Sequence, residues 1–228
     1  MIRVTENFRK IQDLLAQVTA EAGRAPGAVR LLAASKRQPV TALLEAVDAG
    51  QRDFGENGVQ EGLMKMAEIG RDDLTWHFIG RLQGNKTRAV AEHFAWVHTV
   101  DRLRIAERLN RQRPHYAAPL KVCIQVNIDM EASKAGVAPA DLPMLAGAIA
   151  ELPRLELRGL MCLPAMQQEF GAQRRPFAEL REMFESLQQS GLPLDTLSMG
   201  MTADYRAAIH EGATIVRIGT ALFGARKE

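Results

Sequence analysis

The residue of this sequence with the clearest capacity for covalent chemistry is Lys36, which follows an apolar run at 29–34. An amine that is partly withdrawn from water keeps a neutral fraction, and a neutral amine can attack an aldehyde to form an imine. The same position also fits an ordinary lysine that faces solvent at the end of a strand. The residues that surround it must decide between these two interpretations.

A second group, near the carboxyl-terminal end, has the composition of an anion-binding site. It consists of two glycines and three residues with hydroxyl groups: Gly200, Gly219, Ser198, Thr202 and Thr220. Glycine lets backbone N–H groups approach an anion closely, and the hydroxyl groups add further donors. We expect Thr202 to stand at the start of a helix at 203–210, where its hydroxyl could bind an anion or only cap the helix.

Arg217 lies inside an apolar run at 214–218. A guanidinium group that faces a protein interior must find a partner or cost several kcal/mol. That partner could be a carboxylate in a structural ion pair. It could also be a bound ligand, such as the ring nitrogen of an aromatic cofactor, to which the arginine would donate a hydrogen bond.

Eight short apolar runs alternate with helical patterns and must position these residues. We predict a leading helix over 4–21 and strands at 29–34, 52–54, 75–79, 96–100, 120–128, 157–162, 196–199 and 214–218. Strands that alternate with helices pair in parallel, and eight such units favour a closed (β/α)8 barrel of the TIM type over an open doubly wound sheet. The loops that follow the strands form the site of such a barrel, so all three features are expected at one mouth. We expect residues 1–228 to form a single domain.

The overall composition excludes several classes of protein. The 29 Lys and Arg residues nearly balance the 27 Asp and Glu residues, and a net charge of +2 is too small to attract nucleic acid or a membrane surface strongly. No apolar stretch approaches the roughly 18 residues of a membrane span. Arg104, Arg108 and Arg111 are expected on one solvated helix face, with docking of an acidic partner as the alternative. A cytoplasmic monomer is expected.

The cysteine and histidine residues give no metal-binding pattern. Cys123 and Cys162 lie inside apolar runs and are expected to be buried, reduced thiols. His93 and His98 are expected on different faces of a helix, and His77 is expected to pack or hydrogen-bond locally. No metal site is predicted.

The sequence resembles the pyridoxal 5′-phosphate (PLP) homeostasis proteins, which form barrels similar to the amino-terminal domain of alanine racemase. The resemblance covers nearly the whole chain. It is carried by the motifs AASK at 33–36, FGEN at 54–57, WHFIG at 76–80 and RGLM at 158–161, and by the run at 197–224 that contains LSMGM and VRIGTALFG.

This resemblance implies a role for each candidate residue. Lys36 would carry PLP as a Schiff base, and Arg217 would donate to the pyridine nitrogen, where a cation weakens the ring as an electron sink. Asn57 would line the pocket. The implied phosphate site consists of residues in the last two loops: Ser198, Gly200, Met201, Thr202, Gly219 and Thr220. Two positions depart from the family pattern, which commonly has a larger residue at Gly58 and a serine at Thr202.

Three functions remain open at this point. The first is a PLP carrier that stores or buffers the cofactor, or delivers it to apo-enzymes that need PLP. The second is a PLP-dependent amino-acid racemase, which by the resemblance would need a tyrosine from an additional carboxyl-terminal domain as its second base. The chain ends at Glu228 and its two tyrosines are Tyr116 and Tyr205, so a non-catalytic carrier is expected. The third is an aldolase that uses Lys36 on a sugar phosphate. Lys86 and Lys134 are candidates for a second PLP site.

Overall fold

The computed structural model describes residues 4–131 and 134–224, which form a closed barrel of eight parallel strands. Each strand pairs with its neighbour in sequence, and β1 pairs with β8. The strands are β1 (Arg30–Ala34), β2 (Asp53–Glu56), β3 (Thr75–Phe78), β4 (Trp96–Val100), β5 (Leu120–Val126), β6 (Leu155–Cys162), β7 (Thr196–Ser198) and β8 (Ile215–Ile218). The closure confirms the predicted (β/α)8 barrel and excludes the open sheet.

Helices fill the connections between the strands and surround the barrel. They are α1 (Val4–Glu21), α2 (Val40–Asp48), α3 (Val59–Ile69), α4 (Thr87–His93), α5 (Leu103–Gln112), α6 (Leu142–Ala150), α7 (Phe170–Gln189), α8 (Tyr205–His210) and α9 (Thr220–Phe223). The extra helix α1 has its predicted bounds and buries Phe8, Ile11, Leu15 and Val18 at helical spacing. It packs against α2, α8 and α9, and therefore links the first strand–helix unit of the barrel to the last two.

The barrel has two distinct layers of packing. A large apolar core lies between the strands and the helices. Successive side chains of a strand point to opposite faces, so the residues between these core positions point into the barrel. There they form two small apolar clusters, one of Leu32, Ile79 and Ile215 and one of Trp96, Cys123 and Met161. Polar side chains occupy much of the remaining interior.

Two local predictions next to the site are wrong. Strand β2 continues through Gly55 to Glu56 and does not end at residue 54. The helix predicted at 203–210 begins only at Tyr205, because residues 201–204 form a turn. In this turn the N–H of Met201 donates to Asp204 Oδ1 at 2.6 Å, and the N–H of Asp204 donates back to the carbonyl of Met201. Thr202 therefore lies within a turn and does not begin the helix.

The prediction for the cysteines is confirmed, and that for the arginines of α5 is confirmed at two of three positions. Cys123 and Cys162 are buried free thiols, and burial raises the pKa of each to about 12. Arg104 and Arg111 are exposed on α5, as a solvated face requires, whereas Arg108 is half-buried and donates to the Thr87 hydroxyl at 3.1 Å. Within residues 4–131 and 134–224, no helix has the length and apolar character that crossing a membrane would require.

Candidate functional site

A cavity of about 410 Å³ lies at the carboxyl ends of the strands, and it collects most of the predicted site residues. Those that line it are Lys36, Asn57, Met201, Thr202, Arg217, Gly219 and Thr220. Ile79, Leu163 and Met166 add apolar wall. A volume of this size is typical of small-ligand sites, which range from about 300 to 1,000 Å³. The arrangement places an amine, a guanidinium group and several hydroxyl groups around one space.

The loop after β8 approaches the strand that leads to Lys36. A Cβ atom at Gly219 would lie 2.8 Å from the carbonyl oxygen of Ala34, which is closer than real Cβ contacts allow. A residue without a side chain is therefore required at position 219, where the backbone comes close to Ala34. In α9, which begins at Thr220, the N–H groups of Leu222 and Phe223 donate to the carbonyl of Gly219, so the N–H groups of Thr220 and Ala221 are the ones that an anion could meet.

Ser198 and Gly200 do not line the cavity. Ser198 is completely buried, and its hydroxyl lies between His98 and Arg217. Gly200 has a φ of +92°, and a Cβ atom there would lie 2.6 Å from Ala208 Cβ. Its carbonyl accepts the N–H of Arg217 at 2.9 Å. Both residues therefore hold Arg217, which lines the cavity, and do not themselves line it.

The segment that carries Lys36 is fastened by a buried ionic group that sequence analysis missed. We call this group the Lys65 cluster; it consists of Lys65 on α3, Glu56 at the end of β2 and Glu61 on α3. Lys65 Nζ lies 2.8 Å from Glu56 Oε1 and 2.7 Å from Glu61 Oε1, and the lysine side chain is only 1% exposed. Helical spacing offered a signal, because Val59, Gly62 and Lys65 share the buried face of α3.

The Lys65 cluster holds both residues next to Lys36. Lys65 Nζ donates to the carbonyl of Ser35 at 2.7 Å, and the Ser35 hydroxyl donates to Glu56 Oε1 at 2.6 Å. The N–H of Arg37 donates to Glu61 Oε1 at 2.5 Å. Arg37 adopts a φ of +59°, a conformation that non-glycine residues rarely occupy without such support. Burial raises the pKa of Glu56, although hydrogen bonds from Lys65 and Ser35 oppose the shift.

A chain of polar side chains crosses the interior of the barrel and ends at the cavity. His77 Nε2 lies 3.0 Å from Asp53 Oδ1, and His77 Nδ1 lies 2.9 Å from His98 Nε2. His98 Nδ1 lies 2.7 Å from Ser198 Oγ, which accepts a hydrogen bond of 2.9 Å from Arg217 Nη1. His98 belongs to β4, so the prediction that it lies on a helix is wrong. His77 packs and hydrogen-bonds as predicted, although its partners are distant in sequence. We call this group the interior chain.

Arg217 is buried without a carboxylate at ion-pair distance among the described residues. Its Nη1 also donates to the carbonyl of Ser198 at 2.5 Å, and its Nη2 donates to the carbonyl of Cys162 at 2.9 Å. Burial lowers its pKa. The ion pair considered as an alternative is therefore not present in the described part of the chain, and neutral acceptors hold the cation at the cavity wall.

The remaining lysine candidates lie away from the cavity. Lys134 forms ion pairs with Asp129 and Glu131, and Lys86 ends a short 3-10 turn that precedes α4. Neither lysine is among the described residues that line the cavity. The departure at Gly58 is accommodated, because a Cβ atom there would meet Glu61 only at an ordinary 3.7 Å.

Comparison with known proteins places this chain in a family. The sequence model described as "Alanine racemase, N-terminal domain" matches residues 4–227. The chain is 56% identical over 226 residues to the pyridoxal phosphate homeostasis protein of Pseudomonas aeruginosa, which covers 99% of this chain and 97% of that protein. It is 51% identical to the protein of that name from Escherichia coli K12, over 98% of this chain and 97% of the relative. The chain belongs to the pyridoxal phosphate homeostasis protein family.

Solved structures agree with membership of the homeostasis protein family. PipY of Synechococcus elongatus, solved with PLP bound, is 39% identical and superposes with a TM-score of 0.85, over 97% of this chain and 100% of that one. Alanine racemase from Corynebacterium glutamicum is 17% identical, with a TM-score of 0.75 over 98% of this chain and 60% of the racemase. The second likeness concerns the fold alone. The resemblance stated from the motifs is thus confirmed.

Proposed function

We propose that this protein binds PLP covalently through Lys36 and acts in PLP homeostasis, as a carrier that stores, buffers or delivers the cofactor. The observation that carries the proposal is the cavity that brings Lys36 and Arg217 together with the loops at Thr202 and Gly219. The names of the relatives and the PLP in PipY support the choice of cofactor.

The cavity residues fit the chemical groups of PLP. When bound, PLP supplies an aldehyde that condenses with a primary amine, and an electron-withdrawing ring. Lys36 offers the amine, and Arg217 offers a permanent donor to the ring nitrogen. Thr202, Thr220 and the backbone beside Gly219 offer neutral donors to the phosphate, and Asn57 offers a polar side chain to the wall. The buried Ser198 would support Arg217 in this arrangement, because its hydroxyl already contacts His98 and Arg217.

A carrier without turnover agrees with the composition of the cavity wall. Among the described residues that line the cavity, Lys36 is the one side chain suited to act as a general base, because Arg217 stays protonated. Tyr116 is 91% exposed, and Tyr205 lies on α8; neither lines the cavity. Racemisation by two bases has no second base in this wall. The proposal also includes four points that were expected from the sequence: delivery of PLP to apo-enzymes, a monomeric state, a single domain and a cytoplasmic location.

Borohydride reduction followed by mass spectrometry tests the proposal directly. The chain is loaded with PLP, reduced and digested, and every pyridoxyl-lysine is located. We expect the label on Lys36, and we expect Lys36→Ala to lose both the label and the visible absorbance of the bound cofactor. Lys86→Ala serves as the matched control and should keep both. A chain that stays colourless with PLP, or a Lys36→Ala variant that keeps the visible absorbance, would overturn the proposal.

Amino-acid turnover separates the carrier from the racemase. The loaded protein is incubated with the L-enantiomers of alanine and other amino acids, and the D-enantiomers are measured over time. We expect no racemisation above the rate of free PLP. Turnover that depends on Lys36 would favour the racemase instead.

A further inference from the structure

The interior chain spans the barrel from the amino ends of the strands to the cavity. Asp53 is the first residue of β2, and its side chain is 26% exposed. His77, His98 and Ser198 are buried, with at most 1% of each residue exposed. His98 on β4 reaches Ser198 on β7, and these strands are not neighbours in the sheet. The contact therefore crosses the inside of the barrel.

One arrangement of protons satisfies every contact in the interior chain. Arginine only donates, so Ser198 Oγ accepts from Arg217, and its own hydrogen is then directed to His98 Nδ1. A neutral His98 with an accepting Nδ1 carries its proton on Nε2 and donates to His77 Nδ1. Neutral His77 likewise carries its proton on Nε2 and donates to the Asp53 carboxylate. All donors therefore point from Arg217 towards Asp53.

The opposite arrangement leaves a hydrogen unused. If His98 donated from Nδ1, Ser198 Oγ would accept from both His98 and Arg217. The described residues provide no third partner for the serine hydrogen, which would then be buried without an acceptor. Such a group costs about 1–3 kcal/mol. Burial lowers the pKa of both histidines, in agreement with two neutral rings.

Other charged groups next to the interior chain do not replace Asp53 as its acceptor. Trp96 stacks on His77, with ring centroids 5.4 Å apart. Arg30 and Lys121 lie over the Trp96 ring, at 5.7 and 5.5 Å from its centroid, and both disfavour a proton on His77. Among the described residues, Asp53 is therefore the carboxylate that is hydrogen-bonded to a histidine of the interior chain.

We propose that His98 and His77 are positioning residues for Arg217. They orient the Ser198 hydroxyl so that its oxygen accepts from Arg217, and they connect the buried cation to the Asp53 carboxylate at the opposite end of the barrel. This inference rests on the proposed function, because it concerns the guanidinium group that would meet the ring nitrogen of PLP. The histidines act on the cofactor only through Ser198 and Arg217.

The histidine tautomers of the cofactor-free protein provide a test that does not depend on PLP. Long-range ¹H–¹⁵N correlation spectra distinguish Nε2–H from Nδ1–H rings. We expect both His77 and His98 as neutral Nε2–H tautomers at pH 7.5. A protonated ring, or an Nδ1–H tautomer at His98, would overturn the inference while leaving PLP binding through Lys36 untouched.

The second test measures the ¹⁵N chemical shift of the PLP ring nitrogen in the loaded protein. PLP labelled with ¹⁵N in the ring is bound to the parent, to His98→Leu and to His98→Asn, and the ¹⁵N shift and the dissociation constant of PLP are measured. We expect His98→Leu to move the ¹⁵N signal and to weaken PLP binding by about tenfold, because the Ser198 hydrogen then has no acceptor and the hydroxyl no longer keeps its oxygen directed at Arg217. The asparagine oxygen can still accept from Ser198, so His98→Asn should lie closer to the parent.

Two further variants keep this test decisive. Met161→Leu alters the barrel interior at a site outside the interior chain and conserves volume, so its ¹⁵N shift should equal that of the parent. If His98→Leu does not fold, Ser198→Ala replaces it and should move the signal in the same direction and to at least the same extent, because it removes the hydroxyl that accepts from Arg217. A parent-like signal and affinity in the folded variant would contradict the proposal.

Discussion

Lys65 Nζ lies 2.7 Å from the carbonyl oxygen of Ser35, so that a buried ammonium group fastens the residue directly before Lys36. The residue directly after it, Arg37, is held by Glu61, which pairs with the same ammonium group. The Lys65 cluster therefore positions the reactive amine without lining the cavity. A loop held at both sides needs little rearrangement when a ligand binds, which favours affinity.

Replacing Lys65 tests this relationship. Lys65→Met leaves Glu56 and Glu61 without their cation, and we expect the free energy of unfolding to fall by about 3–5 kcal/mol. Denaturant unfolding of the cofactor-free protein measures the loss, with Lys86→Met as the control for removing a lysine. Adding Glu56→Gln to Lys65→Met should restore part of the stability, because it removes one of the two uncompensated charges. A Lys65→Met variant as stable as the control would contradict the role of the cluster.

The close approach of β1 and the loop after β8 gives a second prediction. Gly219→Ala forces the backbone away from the Ala34 carbonyl, so we expect a loss of about 1–3 kcal/mol in the free energy of unfolding and weaker PLP binding. Gly147→Ala is the matched control, because a Cβ atom there meets nothing within 4 Å. Since Gly147 lies within α6, its substitution should instead stabilise the protein by about 0.5–1 kcal/mol. Equal effects of the two substitutions would refute the steric argument.

The buried histidines give a prediction for the pH dependence of stability. Burial is the largest cause of the lowered pKa of both His77 and His98, and the pKa of His98 lies well below its ordinary value of 6.5. Their contribution is complete above pH 6.5 and is lost as the pH falls, because the unfolded chain then takes up protons that the folded chain does not. We expect a decrease of up to about 1.4 kcal/mol per pH unit for each histidine below pH 6.5.

Unfolding free energies measured between pH 7.5 and 5.5 test this slope. The slope should be smaller in His98→Asn than in the parent, whatever the absolute stability of the variant. His115→Asn, at an exposed position, is the matched control. A parent whose stability stays constant or rises as the pH falls through this range would show that the rings are not buried and neutral.

The departure at Gly58 yields a stabilising substitution. Gly58 precedes α3 with a φ of −110°, which any residue adopts, and it provides no side-chain cap. A Cβ atom has room there. Gly58→Ser should raise the free energy of unfolding by about 0.5 kcal/mol, through a cap and a less flexible unfolded chain. Denaturant unfolding measures the change, and a decrease would mean that the loop requires glycine.

Local patterns in the sequence predicted the barrel because each strand and helix has its own periodicity. The bounds of α1 and β4 agree with the prediction, and most other strand ends differ by one or two residues. Lys36 and Arg217 could be singled out because a parallel barrel brings the ends of all its strands to one mouth. The turn at Met201 was not foreseen, because a contact with Asp204 replaced the expected start of the helix.

The sequence by itself thus determined the order of the elements and the residue types at the mouth of the barrel. Only the tertiary structure decided which buried polar groups meet. His98 and Ser198 are 100 residues apart, and their contact depends on barrel closure. Lys65 looks like any helical lysine until α3 packs on the barrel and brings it to Ser35. Hydrogen bonds need positions accurate to a few tenths of an ångström, and such accuracy arises only when the whole barrel has closed and packed.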